Sequence, residues 1–301
     1  MTRDWLPLFL HFLKCKDEFA SQLSQILVPP IAWLPVDALR CGQRSERKLT
    51  NVSEATQTIE GWYALHDFRT IDWKDWRRAS AHERSAALGE WTVLSEDLRK
   101  QDAARALSYG VYQVAGHKAD LLFVHFRPTF EEIISAKAEF QKTRLADYLH
   151  SPYSYVSIVE LSSYLAKPGI DPLEDPHLLA RLQPPIPEHM PNICFYPMNK
   201  RREGMDNWYM LPMPERVELM KSHGLTGRSY AGKVSQVITG SVGFDDWEWG
   251  VTLYAADPLQ FKKLVYEMRF DEVSARYADF GPFYAGTLAS DVDVTNLLKC
   301  D

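Results

Sequence analysis

The chain has 301 residues, 46% hydrophobic and 25% charged, enough to bury roughly three quarters of its unfolded surface as one large domain or two ordinary ones. Forty acidic against 34 basic residues leave a net charge of −6, so the chain as a whole repels nucleic acid and any anion must be held by a local basic cluster. The four cysteines, Cys15, Cys41, Cys194 and Cys300, make no CxxC or CxxCH spacing, which excludes a zinc ribbon and c-type heme attachment and fits a reduced, cytoplasmic compartment.

Trp5 to Leu13 is apolar but too short to span a membrane, and it lacks the basic start and small-residue cleavage site of a signal peptide. Residues 1–56 stand apart as an extension. Val52-Ser53-Glu54-Ala55 reads as the opening of a mature protein with an alternative start codon, which would make residues 1–51 an artefact of the assumed start. A short extra helix near Asp17 to Ile26 is the other reading.

From about Thr58 the chain makes two similar passes of strand, helix, hairpin, helix, strand. The first, within residues 57–166, runs as strand Gly61 to Phe68, helix His82 to Lys100, a hairpin from Tyr109 to Phe126 turning at Gly116, helix Phe130 to Leu149 and strand Tyr153 to Leu161. Thr129 and Glu132 form a capping box at the start of its second helix. Residues 167–191 are rich in Pro and acidic side chains and read as a linker loop. The second pass, within residues 192–301, runs as strand Ile193 to Met198, helix Pro214 to His223, a hairpin from Val234 to Tyr254, helix Pro258 to Met268 and strand Phe280 to Leu288. Asp257 caps its second helix and Pro258 takes the first position, while Phe261, Leu264, Val265 and Met268 supply the apolar face. Two βαββαβ units imply an α+β protein of ferredoxin-like halves, with antiparallel sheets covered by helices and a cleft between the layers.

The segment Cys194 to Pro212, CFYPMNKRREGMDNWYMLP, concentrates the chemistry. As a strand it places Cys194, Tyr196, Met198 and Lys200 on one face, with Arg201, Arg202, Trp208 and Tyr209 close behind. An oxidisable, basic and aromatic surface of this kind suits a flat, multiply anionic aromatic ligand.

Other candidates carry two readings each. His223, ending its helix before Gly224, either favours the helix dipole or serves as an axial iron ligand at the floor of an apolar pocket. Gln236 alternates with Val234 and Ile238, on a solvated row or as a neutral donor above a buried ligand. Gly227 to Lys233 looks like a phosphate loop, but Val234 stands where Ser or Thr must be and no strand precedes it. Trp247 and Trp249 share a strand face with Val251 and Leu253, as core or subunit interface. Arg269 and Ser274 follow the last long helix, and Arg181, Glu188 and His189 sit in the linker. No GxSxG, HExxH or DxDxDG pattern is present.

The stretches GWYALHDFRTIDW (61–73), YSYVSIVELSSYL (153–165), the run 194–212 and HGLTGRSYAGKVSQVITGSVGFDDWEWGVTLYAADPLQFKKLVYEMRFDEVSARYADFG (223–281) resemble the coproheme decarboxylases of Gram-positive bacteria, within the chlorite-dismutase-like superfamily. The resemblance covers roughly residues 57–290 in order. It implies two ferredoxin-like repeats of the dimeric α+β barrel type, a ring-shaped homopentamer and a porphyrin pocket in the second repeat. It implies conversion of iron coproporphyrin III (coproheme), substrate and redox cofactor at once, to heme b with hydrogen peroxide as oxidant. Chlorite dismutase, heme peroxidase and a non-enzymatic heme-binding module are the alternatives. Carried over by motif, His223 is the axial ligand, Gln236 the distal amide and Tyr196 the catalytic tyrosine; Lys200, four residues on and on the same strand face, can then hold the reacting carboxylate as a point charge. Tyr164, Arg181, Arg269 and Ser274 match propionate positions, and Pro197, Met198, Asn199 and Trp208 line the pocket. Chlorite dismutases carry an arginine where this chain has Gln236. A transient contact with coproporphyrin ferrochelatase is a further implication.

Overall fold

The computed structural model describes residues 54–162 and 175–300. The expectations for residues 1–51, for Tyr164 and for 167–174 of the linker lie outside the described residues.

The chain order is β1 (Thr58–Ile71), α1 (Trp73–Arg78), α2 (Ala81–Ala103), β2 (Ser108–Val114), β3 (Leu121–Arg127), α3 (Phe130–Gln141), a 3-10 turn (Arg144–Tyr148) and β4 (Leu149–Ser162). Then come α4 (Pro176–Leu182), β5 (Asn192–Lys200), the two-residue strands β6 (Arg202–Glu203) and β7 (Asp206–Asn207), and a 3-10 turn (Trp208–Met210). The chain continues with α5 (Met213–Arg228), β8 (Ser235–Gly240), β9 (Trp249–Ala255), α6 (Leu259–Met268), α7 (Glu272–Tyr277), β10 (Ala278–Phe280), β11 (Tyr284–Leu288) and α8 (Asp291–Leu297). This is a mixed α+β fold with antiparallel strand ladders, as the sequence predicts.

The first half orders its strands β2-β3-β1-β4 and the second β8-β9-β5-β11. The two runs join where β4 pairs β8 and where β11 pairs β2, and β5 pairs β9, so the ladder closes on itself. Closure removes most sheet edges and creates an inside. On β3, Leu122, Val124 and Phe126 point into that interior with Phe68, Tyr112, Tyr155, Phe195, Tyr254 and Tyr284, while Leu121 and Phe123 face the helices with Trp91 and Phe140. Every position of β3 is therefore buried, which is why Leu121–Arg127 reads as an almost unbroken apolar run rather than an alternating one.

Helix starts follow their caps. Ser80 with Glu83 and Thr129 with Glu132 both make complete capping boxes. Several expectations need correction. The linker is not free of regular structure: Asp175 accepts from the amides of His177 and Leu178, Pro176 takes the first position, and α4 follows. Its Leu182 backbone lies directly over Gly61 of β1, a contact that only a residue without Cβ permits. Helix α5 does not end at His223. Gly224 keeps a helical φ, since the positive-φ glycines are 116, 204, 232 and 243, and the helix runs on to Arg228. The expected strand Phe280 to Leu288 is two strands broken at Gly281-Pro282, preceded by the short α7, and α3 stops at Gln141 rather than Leu149. Pro258, not Asp257, is the N-cap of α6, although the Asp257 carboxylate still accepts from the Leu259 amide at 3.0 Å.

Candidate functional site

The alternation expected for β5 is realised. Ile193 and Phe195 belong to the interior cluster, whereas Cys194, Tyr196 and Met198 face outward into a cluster with Val251, Leu253, Phe261 and Leu264. Register explains the grouping: Tyr196 lies opposite Val251, and Met198 opposite Trp249 on one side and Phe280 on the other. The Tyr196 ring is stacked on Phe283 with centroids 4.5 Å apart and lies 5.8 Å from Phe280. It is 9% exposed. Burial, then the neighbouring Cys194, pushes the phenol well above its ordinary value against the opposing effect of Arg269, so the group stays protonated at any physiological pH. Cys194 is likewise raised, to about 12, by burial.

Lys200 lies at the end of the same face, opposite Ala278. Its Nζ stands 4.6 Å from the centroid of the buried Trp208. Burial lowers its pKa from 10.5 to about 8, against the opposing charges of Asp271 and Glu248. Trp208 packs with Val273, Tyr277 and, from α5, Leu219 and Met220, so the 3-10 turn, α5 and α7 converge here.

On α5, one turn beyond Leu219, His223 is about a quarter exposed and its Nδ1 meets Asp271 Oδ2 at 2.7 Å. Asp271 caps α7, accepting from the Ser274 amide at 3.3 Å, with the Ser274 hydroxyl at 3.5 Å. Burial acts to raise the Asp271 carboxyl, but the hydrogen bond and charge of His223, the Ser274 amide and Lys200 outweigh it and hold the group below the usual carboxylate range. An ionised acceptor fixes the imidazole as the Nδ1–H tautomer and leaves the Nε2 lone pair free to bind a metal.

The outer face of β8 borders this region. Gln236 is exposed on the row whose neighbours Val234 and Ile238 both pack against the Tyr196 cluster. Arg269, at the end of α6, places its guanidinium 3.8 Å from the Phe280 ring centroid. Tyr196, Met198, Lys200, Trp208, His223, Gln236, Arg269 and Ser274 are thus borne by elements of the second half that pack around one face of β5.

The remaining candidates stand otherwise. Asn199 turns away from the row, its Oδ1 accepting from the Glu248 amide at 2.8 Å. The Pro197 ring packs toward Gly281, and its carbonyl accepts from the Gly281 amide. Both shape the strand rather than the outer face. Arg181 is exposed on α4, which packs on β1 and β4. Trp247 falls in the interior cluster, apart from Val251 and Leu253, because β9 begins only at Trp249. Three important side chains were not singled out from sequence: Asp271, Glu248 and Phe283. Asp271 had a usable signal, an Asp three residues before Ser274 at a helix start.

A family model described as chlorite dismutase matches residues 78–289. Among solved structures, a heme-binding protein from Thermus thermophilus is 51% identical over 82% of this chain and 98% of that one, with a TM-score of 0.78. Two variants of chlorite dismutase from Candidatus Nitrospira defluvii share the fold. One is 20% identical over 79% and 95% of the two chains (TM-score 0.64), and the other, in complex with cyanide, is 21% identical over 80% and 96% (TM-score 0.65).

Proposed function

The chain belongs to the chlorite dismutase family, and on that premise we propose that it is a peroxide-dependent coproheme decarboxylase, converting iron coproporphyrin III to heme b at the end of the coproporphyrin-dependent heme pathway. The observation that carries the reading is the outward face of β5, where the buried phenol of Tyr196 leads to the poorly solvated ammonium of Lys200, with the Arg269 guanidinium alongside. The donor set fits an iron porphyrin. His223 is tied to an ionised carboxylate and offers Nε2, the wall is aromatic and aliphatic, and cations are available for carboxylates.

Bound there, the iron porphyrin would supply the oxidising equivalents of peroxide. Tyr196, held as a neutral phenol by burial, gives up its hydrogen atom and then takes one from the β-carbon of a propionate. Loss of a second electron lets the carboxylate leave and the vinyl form. For each propionate, one carboxylate, one hydrogen peroxide and one proton yield one vinyl, one carbon dioxide and two waters. Lys200 holds the reacting carboxylate as a point charge, and its pKa of about 8 lets it hand over the proton near neutrality. Arg269 and Ser274 orient the other propionates. Gln236 offers a neutral amide in place of a cation, which disfavours a chlorine oxyanion as substrate.

The same reading takes the matching strand orders of the two halves as ferredoxin-like repeats spanning 57–166 and 192–301, and the assembly as a cytoplasmic homopentamer that meets coproporphyrin ferrochelatase transiently. Among the described residues no helix is long and apolar enough to cross a membrane. The second reading, a heme-binding module without decarboxylase activity, is favoured by the description of the 51% identical relative. Purified protein mixed with iron coproporphyrin III and peroxide, followed by mass, separates them: loss of two carbon dioxide units supports decarboxylation. Normal binding without mass loss would leave the binding module, and rapid oxygen release from chlorite would favour a dismutase.

A further inference from the structure

We infer that the first half of the chain carries a second ligand site, for a small zwitterion of the α-amino-acid class, in the cleft between α2 and α3. A cavity of about 240 Å³ lies there, below the size range of drug-like ligand sites. At its floor stands Arg127, the last residue of β3, only 6% exposed. Its Nη2 is 3.2 Å from His125 Nδ1, and its Nε has no hydrogen-bond partner among the described residues.

The charge of Arg127 is not answered from within. His125 is buried and held neutral, its pKa lowered to about 3 by burial and then by Arg127, so it supplies no negative charge. The buried carboxylate of Asp67 is committed to Arg69 through bonds of 2.9 and 2.5 Å. Glu132 acts on Arg127 through space, but it is exposed and its carboxylate accepts from the Thr129 amide as the cap of α3. A buried guanidinium lacking a close counter-charge is strongly unfavourable, and a bound carboxylate would supply both the charge and an acceptor for Nε.

The rim selects against a plain anion. Asp97 and Glu132 line the mouth with Gln101 and Ser135, and Glu139 beside them is paired with Lys142 at 2.6 Å. Asp97 accepts from Gln101 at 2.7 Å but keeps its charge, so a simple anion meets negative charge on entry, whereas a ligand bearing an ammonium group is attracted. Between floor and rim, Leu94, Leu98 and Leu107 offer a short apolar wall. Carboxylate to Arg127, aliphatic side chain to the leucines and ammonium to the rim describes a small apolar amino acid. The cleft sits on the α2 and α3 side of the fold, apart from the β5 face, so its test is independent of porphyrin chemistry.

The experiment uses the full chain, with thermal denaturation and saturation-transfer NMR against the proteinogenic α-amino acids, acetate, methylamine and inorganic phosphate. At least one apolar amino acid should raise the melting temperature and receive saturation, and acetate or methylamine alone should do less. Arg127→Gln should weaken binding about tenfold to a hundredfold, the usual worth of a charged hydrogen bond. Ser135 is exposed on α3, so Ser135→Trp should fold normally and abolish binding by filling the cleft; it decides the matter if Arg127→Gln fails to fold. Absence of any amino-acid binding, full binding by Ser135→Trp, or equal binding of acetate or phosphate would overturn the inference.

Discussion

Replacing Lys200 with Met should make the protein more stable and less active. The ammonium is drawn down from 10.5 to about 8 by burial. At about 1.4 kcal/mol per pKa unit, the charged form costs roughly 3 kcal/mol in the folded state. The cation–π contact with Trp208 at 4.6 Å offsets about 1 kcal/mol, and partial exposure trims the remainder, leaving a net gain of about 1–2 kcal/mol for the neutral isostere near pH 7. The sign follows from proton binding: the folded pKa lies below the unfolded one, so between about pH 8 and 10.5 the unfolded chain holds more protons and wild-type stability rises with pH. Below pH 8 the cost is complete and constant. The difference between Lys200→Met and wild type should therefore be flat from about pH 6 to 8, then shrink and vanish above 10.5. Urea unfolding at a series of pH values measures it, comparing variant and wild type to cancel every other titrating group. A variant less stable than wild type at pH 7, or a difference that ignores pH, would show that Asp271 and Trp208 stabilise the charge more than burial penalises it.

Tyr196→Phe removes the phenolic hydrogen and little volume, so porphyrin affinity should stay within a few-fold while turnover falls by at least about a thousandfold; normal turnover would move the radical role elsewhere. His223→Ala should alter the optical spectrum of the bound iron, and an unchanged spectrum would dismiss it as ligand. Asp271→Asn keeps shape but removes the charge behind the imidazole, weakening ligation about tenfold to a hundredfold by the measure of outer-shell partners elsewhere; no change in metal-bound spectrum or affinity would remove Asp271 from that role. Gly61→Ala drives a Cβ into the Leu182 backbone and should cost about 1–3 kcal/mol in thermal or urea unfolding, whereas a neutral result would mean that α4 moves aside freely.

The outward face of β5 was readable because two-residue alternation is a property of any strand: once Cys194–Lys200 is extended, Tyr196, Met198 and Lys200 cannot avoid projecting together. The capping box at Thr129 was equally local and equally legible, since donor and acceptor lie three residues apart; the one at Ser80 carries the same signal and was not read from it. The errors arose where a local signal competes with distant packing. Gly224 is free to end a helix but does so only in a left-handed conformation, and here its φ stays helical while the helix packs on α6 and α7. The linker prolines argued against regular structure, yet Pro176 behind Asp175 is a good helix start when Gly61 offers a seat for Leu182.

What the sequence by itself determined was which residues could act: the phenol, the ammonium, the imidazole and the faces they occupy. Only the tertiary structure decided what surrounds them. The pairing of His223 with Asp271, 48 positions away, the Trp208 ring beside Lys200 and the stacking of Phe283 on Tyr196 all depend on how α5, α7 and the β10–β11 segment come together around β5. Proton affinities at the site follow from that assembly, because burial and neighbouring charge are properties of position in space rather than of position in the chain.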